Sequence, residues 1–154
     1  SYKPATKQSD ISVVICAYTE KRWDDLVAAV ASLQQQSLQP CETLVVIDHN
    51  PRLLEKAHTE FNPELNPAYS EVIVLENREA RGLSGARNSG IAVAKGTIVA
   101  FLDDDAVAAR RVAERVSRGP ADLEGHLRRH GVLVRSAAHA VGAEDLLHGT
   151  TFST

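Results

Sequence analysis

Four short and almost uninterrupted apolar runs constrain this chain more than any other feature. Ile11–Ala17 comes first, then Thr43-Leu44-Val45-Val46-Ile47, Glu71-Val72-Ile73-Val74-Leu75 and Thr97-Ile98-Val99-Ala100-Phe101-Leu102. Runs this short, with little polar alternation, fit strands covered on both faces, since a strand with one wet face alternates. Helical patterns lie between them. Residues 23–36 set Leu26, Val27, Val30 and Leu33 on one stripe, with Asp24 and Asp25 at the positive end. Asn50 caps, and Pro51 opens, a helix reaching about residue 61. Prolines and asparagines at residues 62–67 mark a loop. Residues 84–95 form a third helix, with Gly96 in the expected stop position.

This alternation predicts an α/β fold: a mostly parallel, doubly wound, Rossmann-like sheet with right-handed crossovers and helices on both faces. Ligands in such sheets bind beyond the carboxyl ends of the strands. Those ends carry Tyr18-Thr19-Glu20, Asp48-His49-Asn50, Asn77-Arg78 and Asp103-Asp104-Asp105. Acidic and polar groups therefore converge on one edge, and that edge is the expected site.

Composition mainly excludes. A net charge of -3 gives no reason to expect nucleic acid or an anionic membrane as partner. No apolar run is long enough for a transmembrane segment, and the polar residues 1–10 hold no export-signal core, so a cytoplasmic protein is expected. Cys16 falls near the end of one strand and Cys41 just before the next. Parallel neighbours put those positions at opposite ends of the sheet, so free thiols are expected.

The strongest chemical signal is Asp103-Asp104-Asp105 directly after a buried strand. On an extended chain Asp103 and Asp105 share one face. Carboxylates that close repel unless one is protonated or a cation sits between them, and Mg²⁺ or Mn²⁺ is held by one or two carboxylates plus substrate phosphates. Arg81-Gly82-Leu83-Ser84-Gly85-Ala86-Arg87-Asn88-Ser89-Gly90 is the second signal. Its glycines allow close backbone approach, the helix it opens directs N–H groups outward, and Arg87 can grip phosphate in bidentate fashion. It is neither a dinucleotide fingerprint nor a phosphate loop of the GKS/T kind. A phosphoacceptor pocket of the response-regulator type needs its acid pair after the first strand, where this chain has Ala17-Tyr18-Thr19-Glu20. His126 and His130 share a helical spacing without a third metal ligand.

Four motifs in order carry a family resemblance: Val13-Val14-Ile15-Cys16-Ala17-Tyr18-Thr19-Glu20, Glu42-Thr43-Leu44-Val45-Val46-Ile47-Asp48, Gly82-Leu83-Ser84-Gly85-Ala86-Arg87-Asn88 and Asp103-Asp104-Asp105. Together, over residues 11–108, they resemble the nucleotide-sugar-binding half of a family 2 glycosyltransferase of the GT-A type. The resemblance implies a nucleotide-diphosphate sugar donor, a divalent metal (Mn²⁺ or Mg²⁺) and transfer to a hydroxyl acceptor with inversion. Ala17, Tyr18 and Glu20 would then line the base and ribose pocket. Asp48 stands where the family has paired aspartates, with His49 at the place often held by the base-reading carboxylate. Arg87 would lie near the diphosphate and Asp103 or Asp104 near the ribose. Asp105, with Asp103, would hold the metal of the DXD motif. The family's acceptor-deprotonating carboxylate lies well beyond that motif, and Glu144-Asp145 is the only acidic pair in the remaining chain. This chain alone is thus expected to bind donor without transferring sugar, and the alternative is a non-catalytic donor-binding fragment.

Composition shifts at residue 109. Residues 109–154 lack Lys, Ile, Asn, Gln, Tyr, Trp and Cys and hold four of the 6 histidines. The expectation is a two-part chain: residues 1–108 as the donor-binding unit, and an Arg/Ala-rich tail that is poorly ordered or loosely helical. No further strand is expected, which would leave the fourth strand as an open edge prone to self-association. Ala109-Arg110-Arg111-Val112-Ala113-Glu114 can be written GCC CGG CGG GTG GCT GAG. Shifted by one nucleotide, that string reads Pro-Gly-Gly-Trp-Leu, the pattern the family places after its DXD spacer. The tail accordingly reads as an out-of-frame continuation.

Overall fold

The structure is a computed structural model that describes residues 8–108, 110–117 and 132–136. Its centre is β1 (Ile11–Ala17), with β2 (Glu42–Ile47) parallel on one side and β4 (Ile98–Asp103) parallel on the other. β3 (Val72–Glu76) extends the sheet parallel to β2, and β5 (Val132–Ser136) runs antiparallel along β4. The order is β3-β2-β1-β4-β5.

Side-chain alternation along each strand sorts the core into two layers. Val13, Ile15 and Ala17 of β1, with Val45 and Ile47 of β2, pack against α1 (Trp23–Gln34) and α2 (Pro51–Glu60). Val14, Leu44, Val46, Val99 and Phe101 face the other way, onto Ala86 of α3 (Leu83–Val93). Helices thus cover both faces, as the apolar runs require. Each buried Leu, Ile or Phe contributes about 2 kcal/mol of transfer free energy. The described apolar core consists of such residues together with valine and alanine.

The local chemistry follows the residues. Asn50 Oδ1 accepts from the Leu53 amide at 3.1 Å and Pro51 fills the first position of α2. Trp23 packs on Phe61 with ring centroids 6.0 Å apart, and the Lys56 ammonium lies 4.4 Å above the indole. Both cysteines are free thiols.

Three expectations need correction. α3 ends at Val93, earlier than expected, with Ala94 in extended backbone, so Gly96 is not its left-handed cap. Gly96 instead lets β4 enter beside β1: its N–H donates to Ser12 Oγ at 2.8 Å, and a Cβ would sit 2.7 Å from the Ser12 nitrogen. The second correction is β5, which pairs with β4 from Leu102↔Val132 to Ile98↔Ser136. A strand does form beyond residue 109, because the Val-rich segment at 132–134 supplies β-forming residues; β4 is therefore not an open edge. Third, β5 counts against reading the tail as out of frame.

The chain just past β4 is also tied down. Ala108 N–H donates to Ser32 Oγ and Ala113 N–H to Gln36 Oε1, and both alanines are buried against α1. α4 (Val112–Ser117) starts there. The expected disorder or loose helix at 118–131 and 137–154 lies outside the described residues, as do His126, His130, Glu144 and Asp145. Among the described residues no helix is long and apolar enough to cross a membrane.

Candidate functional site

The chain winds from β1 out to β3, then returns through α3 to place β4 on the far side of β1. Such a switch point opens a crevice at the carboxyl ends of the strands, since neighbouring connections leave in opposite directions. A cavity of about 500 Å³ lies there, walled by β1 and β4, the start of α3, and Arg22. Ala17, Tyr18, Asp48, Arg87, Asp103, Asp104 and Asp105 all line it. Glu20 does not. It is exposed, and its carboxylate accepts from Asn50 Nδ2 at 3.0 Å, a bond that holds its pKa below the usual carboxylate range.

The acidic turn departs from the extended geometry expected of it. Asp103 closes β4, and the Ala106 amide donates to Asp103 O at 3.0 Å, so the chain reverses at once. Asp104 is consequently buried and Asp105 exposed, yet all three remain on the cavity. Asp104 Oδ1 lies 3.3 Å from Arg22 Nη1, and Asp103 Oδ1 lies 3.8 Å from Arg87 Nη2. The other oxygen of each, Oδ2, is buried without a hydrogen-bond partner among the described residues. Burial pushes both carboxyls above the usual aspartate range, against the pull of the two arginines. Buried carboxylate oxygens without donors require a proton or a cation. The donor set therefore suits a hard divalent cation. Among the described residues no three His, Cys, Asp or Glu side chains cluster around one point. A cation here would take the rest of its shell from water or ligand phosphate.

Arg87 lines the cavity beside Asp103. Its guanidinium is nearly buried, lies 5.5 Å from the Phe101 ring centre and faces Asp103. Burial lowers its pKa, while Cys16 and Asp103 act in the other direction. Cys16 lies in the cavity lining, and burial pushes its thiol up to about 12, so it is a neutral lining group rather than a nucleophile. Tyr18 stands 56% exposed at the mouth, with the Arg22 guanidinium 5.7 Å from its ring centre. Asp48 is buried, one oxygen accepting from Asn77 Nδ2 at 2.8 Å and the other from the Gly82 amide at 3.0 Å. His49 has left-handed backbone (φ 49) and its Nε2 lies 2.7 Å from Glu79 O; it does not line the cavity.

Sequence reasoning missed Arg22, and it placed Asn77 on the expected edge without giving it a role. Arg22 sits on a single 3-10 turn, Glu20–Arg22, whose entry is capped by Thr19 Oγ1. Its approach to Asp104, 82 positions away, carries no local signature. Asn77 follows β3 directly, and that position at the ligand-bearing edge was the signal available.

Two covered carboxylates, an arginine and a glycine-opened helix line one switch-point cavity. That arrangement defines an α/β protein with a ligand crevice at the carboxyl ends of its strands. The profile of Glycosyl transferase family 2 matches residues 12–128, well over half of the chain, and the chain belongs to that family. The match runs beyond the four motifs and into the segment after residue 108. The chain is 32% identical over 98 residues to a glucosyl-dolichyl phosphate glucuronosyltransferase of Haloferax volcanii, covering 64% of this chain and 30% of that protein. It is 30% identical over 95 residues to WfaP of Escherichia coli, a UDP-Glc:alpha-D-GlcNAc-diphosphoundecaprenol beta-1,3-glucosyltransferase, covering 62% and 35%. This chain thus spans about a third of those relatives. Among solved structures it superposes on the mannosyltransferase PcManGT of Pyrobaculum calidifontis, in complex with GDP-Man and Mn2+, with TM-score 0.53 and 24% identity over 68% of this chain and 30% of that one. TarS of S. aureus gives 0.52 and 20% over 70% and 31%. Both superpositions carry the fold.

Proposed function

We propose that this chain forms the donor side of an inverting glycosyltransferase and binds a nucleoside-diphosphate sugar together with a divalent cation. The observation that carries the reading is the pair of buried oxygens on Asp103 and Asp104 that have no partner among the described residues, in a cavity that Arg87 also lines. Asp105 and Asp103 would hold the cation. When bound, that ion supplies positive charge to the diphosphate, whose leaving-group charge grows as the sugar–phosphate bond breaks.

The chain's own residues do the rest on the donor side. Arg87 is rigid and desolvated on Phe101, so it presents a fixed guanidinium to phosphate oxygens. Tyr18 offers an exposed ring on which a base can stack at the mouth, beside Ala17. Gly82 and Leu83, at the start of α3, line the same space. The acceptor is a hydroxyl compound, and transfer requires a carboxylate base to deprotonate it.

Calorimetry with UDP, GDP and dTDP, each with Mn²⁺ and with EDTA, tests the reading. One of the three is expected to bind, with affinity lowered at least about tenfold by EDTA. Asp105→Ala should remove that metal dependence, and Arg87→Ala should weaken diphosphate binding more than nucleoside binding. Affinity indifferent to EDTA would show that the acidic turn holds no ion.

A further inference from the structure

Asp48 faces the cavity, but its carboxylate is engaged elsewhere. Its two oxygens reach in different directions, to Asn77 Nδ2 (2.8 Å) and to the Gly82 amide (3.0 Å). Asn77 is itself fully committed. Its Nδ2 also donates to Ala80 O at 3.0 Å, while its Oδ1 accepts from the Glu79 amide and from Ser89 Oγ, both at 2.8 Å. Ser89 lies on α3 and its Oγ accepts in turn from the Arg78 amide at 3.0 Å. The end of β2, the segment after β3, and α3 are thereby closed into one ring of hydrogen bonds.

Gly82 is where that ring meets the ligand space. Its backbone is at φ 132, a conformation L side chains rarely adopt, and nothing lies within 4 Å of where a Cβ would be. Packing at that point does not hold the turn in place. No side chain caps α3 either; its first bond runs from Ala86 N–H to Gly82 O at 3.0 Å. The charged bond from Asp48 is what fixes the origin of α3, and Arg87 follows one turn later.

We propose that Asp48 is a positioning residue, holding residues 81–83 through the Gly82 amide so that the start of α3 and Arg87 meet the diphosphate, rather than a reader of the nucleobase. The inference rests on the donor reading above. A base-reading carboxylate needs an oxygen open to the cavity; here one is turned to Asn77 and the other to the backbone. His49, the neighbouring candidate, is turned to Glu79 O.

Amide exchange of Gly82 by NMR, in the protein without ligand, examines the clamp directly. Protection is expected, and it should fall at least about tenfold in Asp48→Asn, whose amide can accept from only one of the two donors. The same variant should bind UDP or GDP, whichever the protein prefers, with Mn²⁺ about tenfold more weakly, while uridine or guanosine affinity is unchanged. Asp48→Asn combined with Asn77→Asp restores a donor–acceptor pair and should recover part of both losses, a rescue that mere destabilisation does not predict. If Asp48→Asn does not fold, Ser89→Ala loosens the same ring one link away and should show the same split in smaller measure. Equal weakening of nucleotide and nucleoside, or an unprotected Gly82 in the unmutated protein, overturns the positioning role. Failure of the unmutated protein to bind any nucleotide sinks the donor reading instead, and the Gly82 exchange result stands apart from it.

Discussion

The two ends of the sheet both bury an acid, and they treat it in opposite ways. At the amino end Glu42 is 2% exposed, and its Oε2 accepts from Ser12 Oγ at 2.5 Å and from the Lys95 amide at 2.6 Å. Ser12 Oγ accepts in turn from Gly96 N–H at 2.8 Å, which ties the entry of β4 to β1 and β2. At the carboxyl end Asp103 and Asp104 are also covered, yet each keeps one oxygen with no donor among the described residues. A buried charge is stable only when its lone pairs are met, so the amino end is finished and the carboxyl end is not. The contrast separates structural from functional carboxylates where burial alone does not.

The largest effect should come from breaking the finished end. Glu42→Ala removes the acceptor shared by the buried Ser12 hydroxyl and the partly buried Lys95 amide. A loss of about 3 kcal/mol is expected, read by urea denaturation, with Mn²⁺ and nucleotide affinity unaltered in the folded fraction. Equal damage to ligand binding would show that the two ends are coupled, and the contrast would lose its meaning.

Removing charge at the unfinished end should do the reverse. Asp104→Asn takes one of three crowded negative charges away, so stability without metal should hold or rise by about 1 kcal/mol, while the Tm gain from Mn²⁺ held by Asp103 and Asp105 should shrink with the loss of the neighbouring charge. The same contrast has a pH signature. Burial raises both aspartates, so just above the usual aspartate range the folded protein keeps protons that the unfolded chain has released. More protons bound in the folded state means stability from these groups falls as pH rises through that window. A cation competes with those protons, so the Tm gain from Mn²⁺ should grow with pH over the same interval. A gain that shrinks with pH would place the ion elsewhere.

Sequence made the sheet legible because buried parallel strands announce themselves. The helix starts at Asn50 and Gly82 were equally readable, as capping chemistry is local. Gly96 misled because a glycine after a helix usually caps it, whereas here the approach of Ser12, 84 positions away, decides. β5 was missed because a Val-rich run of five residues, isolated in a Gly- and Arg-rich tail, shows its role only against β4. For the site, position at strand ends gathered Asp48 and the three aspartates into one candidate edge, and the glycine-opened helix added Arg87. What each does was not readable, because the Asp48 bonds to Asn77 and Gly82 and the Arg22 contact with Asp104 are tertiary.

The smallest effect, and the finest probe of the contrast, lies at Arg22. Its guanidinium is the only arginine group within 4.0 Å of Asp104 among the described residues, and the side chain is 43% exposed. Solvent screens the exposed Arg22 side of the pair, and the buried Asp104 can take a proton when the pair is broken, so Arg22→Ala should barely move the Tm. The carboxylate it leaves behind loses its nearby positive charge, which otherwise repels an incoming cation. Mn²⁺ alone should therefore bind about threefold more tightly to Arg22→Ala, with the gain fading as salt rises. Arg22→Lys keeps the charge and should behave like the unmutated protein. Weaker Mn²⁺ binding in Arg22→Ala would mean that Arg22 shapes the acidic turn for the ion instead of opposing it. In that case the carboxyl end would already be organised by its own ion pair, and its open oxygens would need another explanation.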